Sequence, residues 1–250
     1  MKKEKGKIIT ITSSKGGVGK TILLLNLAGI YSKLNKKVLL LDFDFSSGSI
    51  SLNLNLKSKK TIYNVSDDIY NHRYLEYKDY IFSYNDNIDV VSSVKDPRHA
   101  NKIDISNLKL FIDEVKYHYD IILIDTTHGL NKNNILTLDL TDKILYVVSN
   151  DFMDIKNSKN FMSIMNNIDS NKVRMVLNES FNPNLEYFNT FDIKSITKKN
   201  IDYTVSSSFY IRNIASFILE GKIYTLTSDS NKHKKDIEKL NNMALDLLEE

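Results

Sequence analysis

Eight consecutive residues carry the most specific chemistry in this 250-residue chain: Ser14-Lys15-Gly16-Gly17-Val18-Gly19-Lys20-Thr21. The apolar, β-branched run Ile8 to Ile11 leads in and the apolar-rich segment Ile22 to Leu34 leads out, so the stretch reads as strand, glycine-rich turn, helix. Its glycines let the backbone curl until successive N–H groups face one point. That point lies at a helix N-terminus, where unpaired N–H groups and the helix dipole favour an anion. Gly16, Gly17, Val18, Gly19, Lys20, Thr21 and Ile22 are expected to cradle phosphates, Lys20 reaching the β/γ-phosphates and Thr21 placing its hydroxyl on Mg²⁺. The pattern G-x-x-x-x-G-K-[ST] is incomplete at its first position, where Ser14 stands, and a second lysine, Lys15, follows it.

Three other stretches bring groups that such a loop needs. Val38-Leu39-Leu40-Leu41-Asp42-Phe43-Asp44-Phe45 is a buried strand ending in two acids whose side chains point the same way if strand geometry continues. One could hold Lys20 or the Mg²⁺ shell and the other orient water, because ligands of open α/β sheets bind at the carboxyl ends of strands. Tyr119 to Gly129 holds the run Ile121-Ile122-Leu123-Ile124-Asp125, a hydrophobic strand delivering one acid in the Walker B manner, with Gly129 allowing the loop beyond it to move. Thr21, Asp42, Asp44 and Asp125 are the expected metal set. His128 beside them reads as a solvated loop residue. Val173 to Glu179 ends a strand in Asn178, whose amide offers the donor and acceptor that match an adenine edge, and Thr204 to Ser208 would wall the other side of a base pocket.

The form K-G-G-V-G-K-T, the D-x-D of Asp42 and Asp44 and the Y-D-x-I-x-I-D of Tyr119 to Asp125 together resemble the deviant Walker A ATPases of the ParA/MinD family. The resemblance implies ATP and Mg²⁺ as cofactors and an ATP-dependent homodimer, with Lys15 reaching across the interface to the partner's phosphates. It implies that Asp44 positions the attacking water, that Asp42 supports it, and that Asn178 reads adenine. Many partition ATPases continue the D-x-D with Pro-Gln where this chain has Phe45-Ser46, and Thr127 stands where a Pro or Ala is usual. Asp89 to Arg98, the stretch Ile211-Arg212-Asn213-Ile214-Ala215 and Glu220-Gly221-Lys222 are similar to the CpaE-, MinD- and FlhG-like branch.

These residues need a parallel sheet to align them. Strand-like runs fall at Lys7 to Thr12, Lys37 to Asp42, Ile88 to Val91, Ile121 to Asp125, Lys143 to Val148, Val173 to Leu177 and Ile201 to Val205. Several are continuous Ile/Leu/Val runs, as strands buried on both faces require. Helical patterns lie between them at Thr21 to Leu34, Ser106 to Tyr117, Asp154 to Ile168, Tyr210 to Glu220 and Asn231 to Leu248. The expected fold is α/β, a three-layer P-loop NTPase fold with a mostly parallel sheet of about seven strands and helices on both faces. Residues 1–250 read as one such unit, with Pro97 and Pro183 in turn-like surroundings.

Hydrophobic content of 42% and charged content of 26% are ordinary for a globular chain, and the net charge of +3 is spread over dispersed lysines. The absence of cysteine excludes disulfides, thiolate catalysis and cysteine-held iron–sulfur clusters. Met1 to Lys7 is basic without an apolar core of signal-peptide length, so a cytoplasmic location is expected. The last segment, Asp236 to Glu250, is amphipathic but acidic at its end, which favours packing on the core over direct membrane binding. The expected function is a hydrolysis-timed ATP switch that positions or assembles a bacterial structure, CpaE-like pilus assembly ahead of DNA partition, with an activating protein partner and a weakly supported DNA contact. A P-loop phosphotransferase, a metabolic ligase and a non-hydrolysing nucleotide scaffold are the alternatives. The dispersed tyrosines, the want of a second substrate pocket and the intact Lys20, Thr21, Asp44 and Asp125 weigh against them in turn.

Overall fold

A computed structural model describes residues 5–165, 171–179, 187–211 and 214–249. Arg212, Asn213, Pro183 and the last residues of the helix expected to reach Ile168 lie outside them. The strands are β1 (Lys7–Thr12), β2 (Val38–Phe43), β3 (Phe82–Ser83), β4 (Ile88–Val91), β5 (Ile121–Thr126), β6 (Lys143–Val148), β7 (Val173–Asn178) and β8 (Tyr203–Val205). They form one sheet in the order β3-β4-β2-β5-β1-β6-β7-β8. Every neighbouring pair is parallel except β3 with β4. The expected seven strands are thus joined by an eighth, a two-residue edge strand too short to carry a hydrophobic period.

The helices are α1 (Lys20–Lys33), α2 (Ser49–Asn53), α3 (Ile62–Tyr70), α4 (Ile105–Val115), α5 (Lys132–Asp139), α6 (Phe152–Met165), α7 (Thr190–Thr197), α8 (Ser207–Ile211), α9 (Ile214–Leu219) and α10 (Lys234–Asp246). The sequence reading did not anticipate α2, α3, α5 and α7; α8 and α9 cover the region of the helix expected over Tyr210 to Glu220 apart from Arg212 and Asn213. The segment Ser228–His233 winds as a 3₁₀ helix before α10, so that helix begins later than its amphipathic pattern.

Strand alternation sends side chains to two faces. Ile9 and Ile11 pack with Leu40, Leu123 and Leu145 against α1 and α10. Ile8, Leu39, Leu41, Ile122 and Ile124 face α3 and α4 on the other side. Thr10 pairs with Ile144 in register, so Ile144, Tyr146 and Val148 continue that second face under α6 and α7. Three layers result, as expected. Helix α1 is buried from Leu23 to Ser32 because the sheet covers one side and the C-terminal segments the other. The apolar stripe of α10, Leu240, Met243 and Ala244, is spent in this core. No helix among the described residues is long and apolar enough to cross a membrane.

The fit between α1 and the segment Tyr224–Leu226 is close. Thr225 donates from Oγ1 to the Asn26 carbonyl at 2.9 Å and from its N–H to Asn26 Oδ1 at 3.1 Å. A β-carbon on Gly29 would lie 2.1 Å from Thr225 Oγ1 and 2.9 Å from Ile223 Cγ2. Gly29→Ala is therefore expected to destabilise by about 1–3 kcal/mol through overpacking and lower the melting temperature by roughly 2–10 °C. Calorimetry checks this; an unchanged or raised midpoint would show that the contact relaxes at no cost.

Candidate functional site

The loop leaves β1 at Thr12 and enters α1 at Lys20. Gly17 and Gly19 have φ of 77° and 91°, the left-handed region that side chains disfavour. Gly19 is constrained twice, because a β-carbon there would lie 2.5 Å from Asn178 Nδ2. Asn178, at the end of β7, donates from that Nδ2 to the Val18 carbonyl at 2.8 Å. Its Oδ1 is buried and has no hydrogen-bond partner among the described residues. Asn178 thus braces the loop with one end of its amide and keeps an acceptor for another group, a double use that sequence reading missed. Val205 of β8 lies in register beside it, where the second wall of a base pocket was expected. His128 is exposed and its Nδ1 would lie 3.4 Å from a β-carbon on Gly16.

Lys20 reaches back over the loop and donates to Ser13 Oγ at 3.1 Å. Burial lowers its pKa, opposed by the charges of Asp125, Asp44 and Asp154. Thr21 Oγ1 donates to Asp125 Oδ2 at 2.5 Å. Asp125 is 1% exposed and its Oδ1 has no hydrogen-bond partner among the described residues. Burial pushes its carboxyl up to about 7, held back by the Thr21 hydrogen bond and the Lys20 ammonium. The hydroxyl, the carboxylate and its orphaned oxygen fit a hydrated Mg²⁺, for which an oxygen-only donor set is suited.

The two D-x-D acids occupy different surroundings. Asp42 pairs in register with Asp125 and is fully buried. Its Oδ1 accepts from the Asp44 N–H at 3.2 Å and its Oδ2 from the Ile50 N–H at 3.0 Å. Burial and then the charge of Asp125 raise its pKa well above the usual carboxylate range. With both oxygens held by backbone, Asp42 pins the segment between β2 and α2. Asp44 lies at the rim. Its Oδ1 accepts from the Ser46 and Ser47 N–H groups, and its Oδ2 from the hydroxyls of Ser47 and Ser49. Ser93 also donates to the Asp44 carbonyl at 2.8 Å.

Two acids that the sequence reading did not place at the site hold the start of the loop. Lys15 Nζ donates to Asp151 Oδ1 at 2.9 Å. That oxygen also accepts the Met153 and Asp154 N–H groups at the first turn of α6. Ser14 Oγ donates to Asp154 Oδ1 at 3.0 Å, and Asp154, fully buried, accepts at Oδ2 from the N–H and hydroxyl of Ser149. The serine that replaces the first pattern glycine is thus tied to a buried carboxylate. The only sequence signal was a pair of acids after a strand, and nothing in it said that β6 lies beside β1.

A glycine-rich loop between a central parallel strand and a helix, with Lys20, Thr21, Asp44 and Asp125 around it, defines a P-loop nucleotide-binding fold. The AAA domain family AAA_31 matches residues 6–182. The chain belongs to that family and, within it, to the ParA/MinD P-loop ATPases. It is 33% identical over 149 residues to an uncharacterised ATP-binding protein of Methanocaldococcus jannaschii, a match covering 59% of this chain and 55% of that protein, so the chain spans little more than half that relative's length. It is 24% identical over 216 residues to the septum site-determining protein MinD of Thermotoga maritima, over 76% of this chain and 71% of that one. A ParA family ATPase from Chlorobium tepidum superposes with a TM-score of 0.81 at 14% identity, covering 96% of this chain and 98% of its own. MinD from Pyrococcus horikoshii, complexed with Mg-ADP, superposes at 0.77 and 21% identity, over 98% and 96%. These structural likenesses concern the fold.

The charge at Asp125 has a measurable sign. Its folded pKa of about 7 lies above the unfolded value of 3.8, so the folded state binds the extra proton between them and stability is lost as pH rises through that window. Asp125→Asn removes this loss. Its melting temperature relative to the parent is expected to be several degrees higher at pH 8 than at pH 5, measured without nucleotide. A difference independent of pH would remove Asp125 as the titrating group.

Proposed function

We propose that this chain is a Mg-ATP-dependent dimerising ATPase whose hydrolysis times the positioning or assembly of a cellular structure. The observation that carries the reading is the meeting of Lys20, Thr21, Asp125 and Asp44 at the carboxyl ends of β1, β2 and β5, with Lys20 within electrostatic reach of both acids. The names of relatives supply the nucleotide: one is called ATP-binding, and one solved neighbour holds Mg-ADP.

In this reading the loop N–H groups and Lys20 bind the β- and γ-phosphates, and Thr21 and Asp125 hold Mg²⁺. The bound ion would offset phosphate charge as it builds up. Asp125 gives up its proton when it takes that role, so Mg²⁺-dependent nucleotide affinity rises with pH across about 7. Asp44 leaves its serine partners, accepts a hydrogen bond from the attacking water and aligns it with the γ-phosphorus. Asn178 keeps its bond to Val18 and accepts from the adenine amino group at the orphaned Oδ1. Lys15 exchanges Asp151 for the partner's phosphates as two copies close face to face, and phosphate loss reopens them.

Residues 1–250 act as one such unit in the cytoplasm and answer to an activating protein partner. The stretches Asp89 to Arg98 and Glu220-Gly221-Lys222 support a CpaE-like role in pilus assembly, and Phe45-Ser46 in place of Pro-Gln sets it apart from DNA partition. The use of the α10 stripe in the core argues against membrane binding through that helix.

Light scattering on Asp44→Ala, with and without Mg-ATP and beside Lys15→Ala/Asp44→Ala, tests the reading. ATP is expected to double the mass of the first protein and leave that of the second unchanged. A mass that stays constant while ATP is bound would replace the switch with a monomeric transferase or scaffold. Separately, Asn178→Ala is expected to narrow the preference for ATP over GTP by about tenfold. An unchanged ratio, measured by competition binding, would leave Asn178 only its brace on the loop.

A further inference from the structure

A cleft of about 580 Å³ opens beside the Asp44 segment, between α2, the start of α3 and the end of β4. It is separate from the phosphate loop, since no residue of Ser13 to Thr21 lines it. Its size is that of a small-ligand or short-peptide site. Three exposed lysines, Lys57, Lys59 and Lys95, stand around it, and no carboxylate lines it. None of the three makes an ion pair among the described residues; Lys95 donates to the Lys59 carbonyl at 3.2 Å. Hydroxyls line the interior. Ser58 and Ser92 pair with each other, whereas Ser51 Oγ is buried with no hydrogen-bond partner. Leu52, 66% exposed, contributes an apolar wall together with Leu56 and Val94.

Two wall residues touch the acid that the mechanism uses. Ser47 donates its hydroxyl to the Asp44 carboxylate, and Ser93 donates to the Asp44 carbonyl. Anything seated in the cleft rests on groups that fix both the side chain and the backbone of Asp44.

We infer that this cleft docks an acidic peptide segment of a partner protein and that its occupation is transmitted through Ser47 and Ser93 to Asp44. The three lysines are unneutralised point charges suited to carboxylates. The leucine and valine wall takes an apolar side chain that a phosphate group or a nucleic-acid backbone does not offer. The buried Ser51 hydroxyl gains a partner from peptide backbone or carboxylate. Docking stands independently of nucleotide chemistry, whereas the link to turnover rests on the role proposed above for Asp44.

The test uses the full chain without nucleotide and a fluorescein-labelled peptide, Glu-Glu-Leu-Glu-Glu-Leu-Glu-Glu, followed by anisotropy. Saturable binding is expected, weakened about tenfold or more in Lys57→Glu/Lys59→Glu/Lys95→Glu and several-fold in Leu52→Ser. All four side chains are exposed, so both variants should keep the parent's circular dichroism and nucleotide affinity. Equal binding by the parent and the triple variant overturns the site. Displacement by tripolyphosphate or duplex DNA at matched charge, together with an unaffected Leu52→Ser, overturns the acidic peptide in favour of a general polyanion. In a second arm, saturating peptide is expected to change ATP turnover about twofold or more in the parent and not in the triple variant. Binding without a change in a measurable turnover overturns the link to Asp44. A parent with no turnover at all, yet intact docking, points instead to failure of the ATPase reading.

Discussion

Three nearly inaccessible carboxylates, Asp42, Asp125 and Asp154, surround a loop that offers one largely buried ammonium, Lys20. Burying charge is costly unless each charge is paired and hydrogen-bonded. The chain meets this cost differently at each acid. Asp42 is satisfied by two backbone N–H groups and Asp154 by Ser14 and Ser149, while Asp125 accepts the Thr21 hydroxyl at Oδ2 and its Oδ1 has no well-formed hydrogen bond among the described residues. The unpaid acid is the one at the phosphate loop beside the magnesium-type hydroxyl. The structure leaves its least compensated buried acid where a cation would relieve it, and that placement follows from β1, β2 and β5 being neighbours.

That adjacency explains what the sequence disclosed. The loop, the D-x-D and the Walker B strand are each contiguous, so their residue types and spacing could be read directly and the structure brings them to one edge. Long Ile/Leu/Val runs such as Leu39 to Leu41 and Ile121 to Ile124 mark strands covered on both faces, and their boundaries differ by a residue or so. Asp151 and Asp154 were illegible for the opposite reason. Their partners are about 140 positions away, and only the order β5-β1-β6 brings them to Ser14 and Lys15. The helices α2 and α7 are too short to show a period, and β3 exists only as a pairing with β4. The bond of Asn178 to Val18 is a structural duty that no local pattern encodes.

The two D-x-D acids also show how one motif divides its work. Asp42 and Asp44 are two residues apart on an extended run, which suggests equivalent positions. The chain turns immediately after Phe43, so the alternation that would align them ends there. Asp42 remains in the sheet and fixes the turn, and Asp44 sits beyond it among the hydroxyls of Ser47 and Ser49. The switch proposed above would use both: Asp42 as the anchor and Asp44 as the acid whose contacts exchange.

The contact between Lys15 and Asp151 sets the scale for such exchange. Both side chains are partly exposed, at 42% and 33%, and an ion pair of that exposure is worth only about 0–1 kcal/mol. In the proposed dimer it would not by itself hold Lys15 back from the partner's phosphates. Asp151 keeps its other duty, capping the first turn of α6, whether or not Lys15 is present, so departure of the lysine does not unravel the helix. The firmer hold on the loop is Ser14 on the buried Asp154, where an unmade hydrogen bond would leave a carboxylate oxygen stranded. The loop is therefore rigid at its serine and loose at its lysine. In the proposed dimer the residue that would travel is the lightly held one, and its neighbour would keep the loop in place.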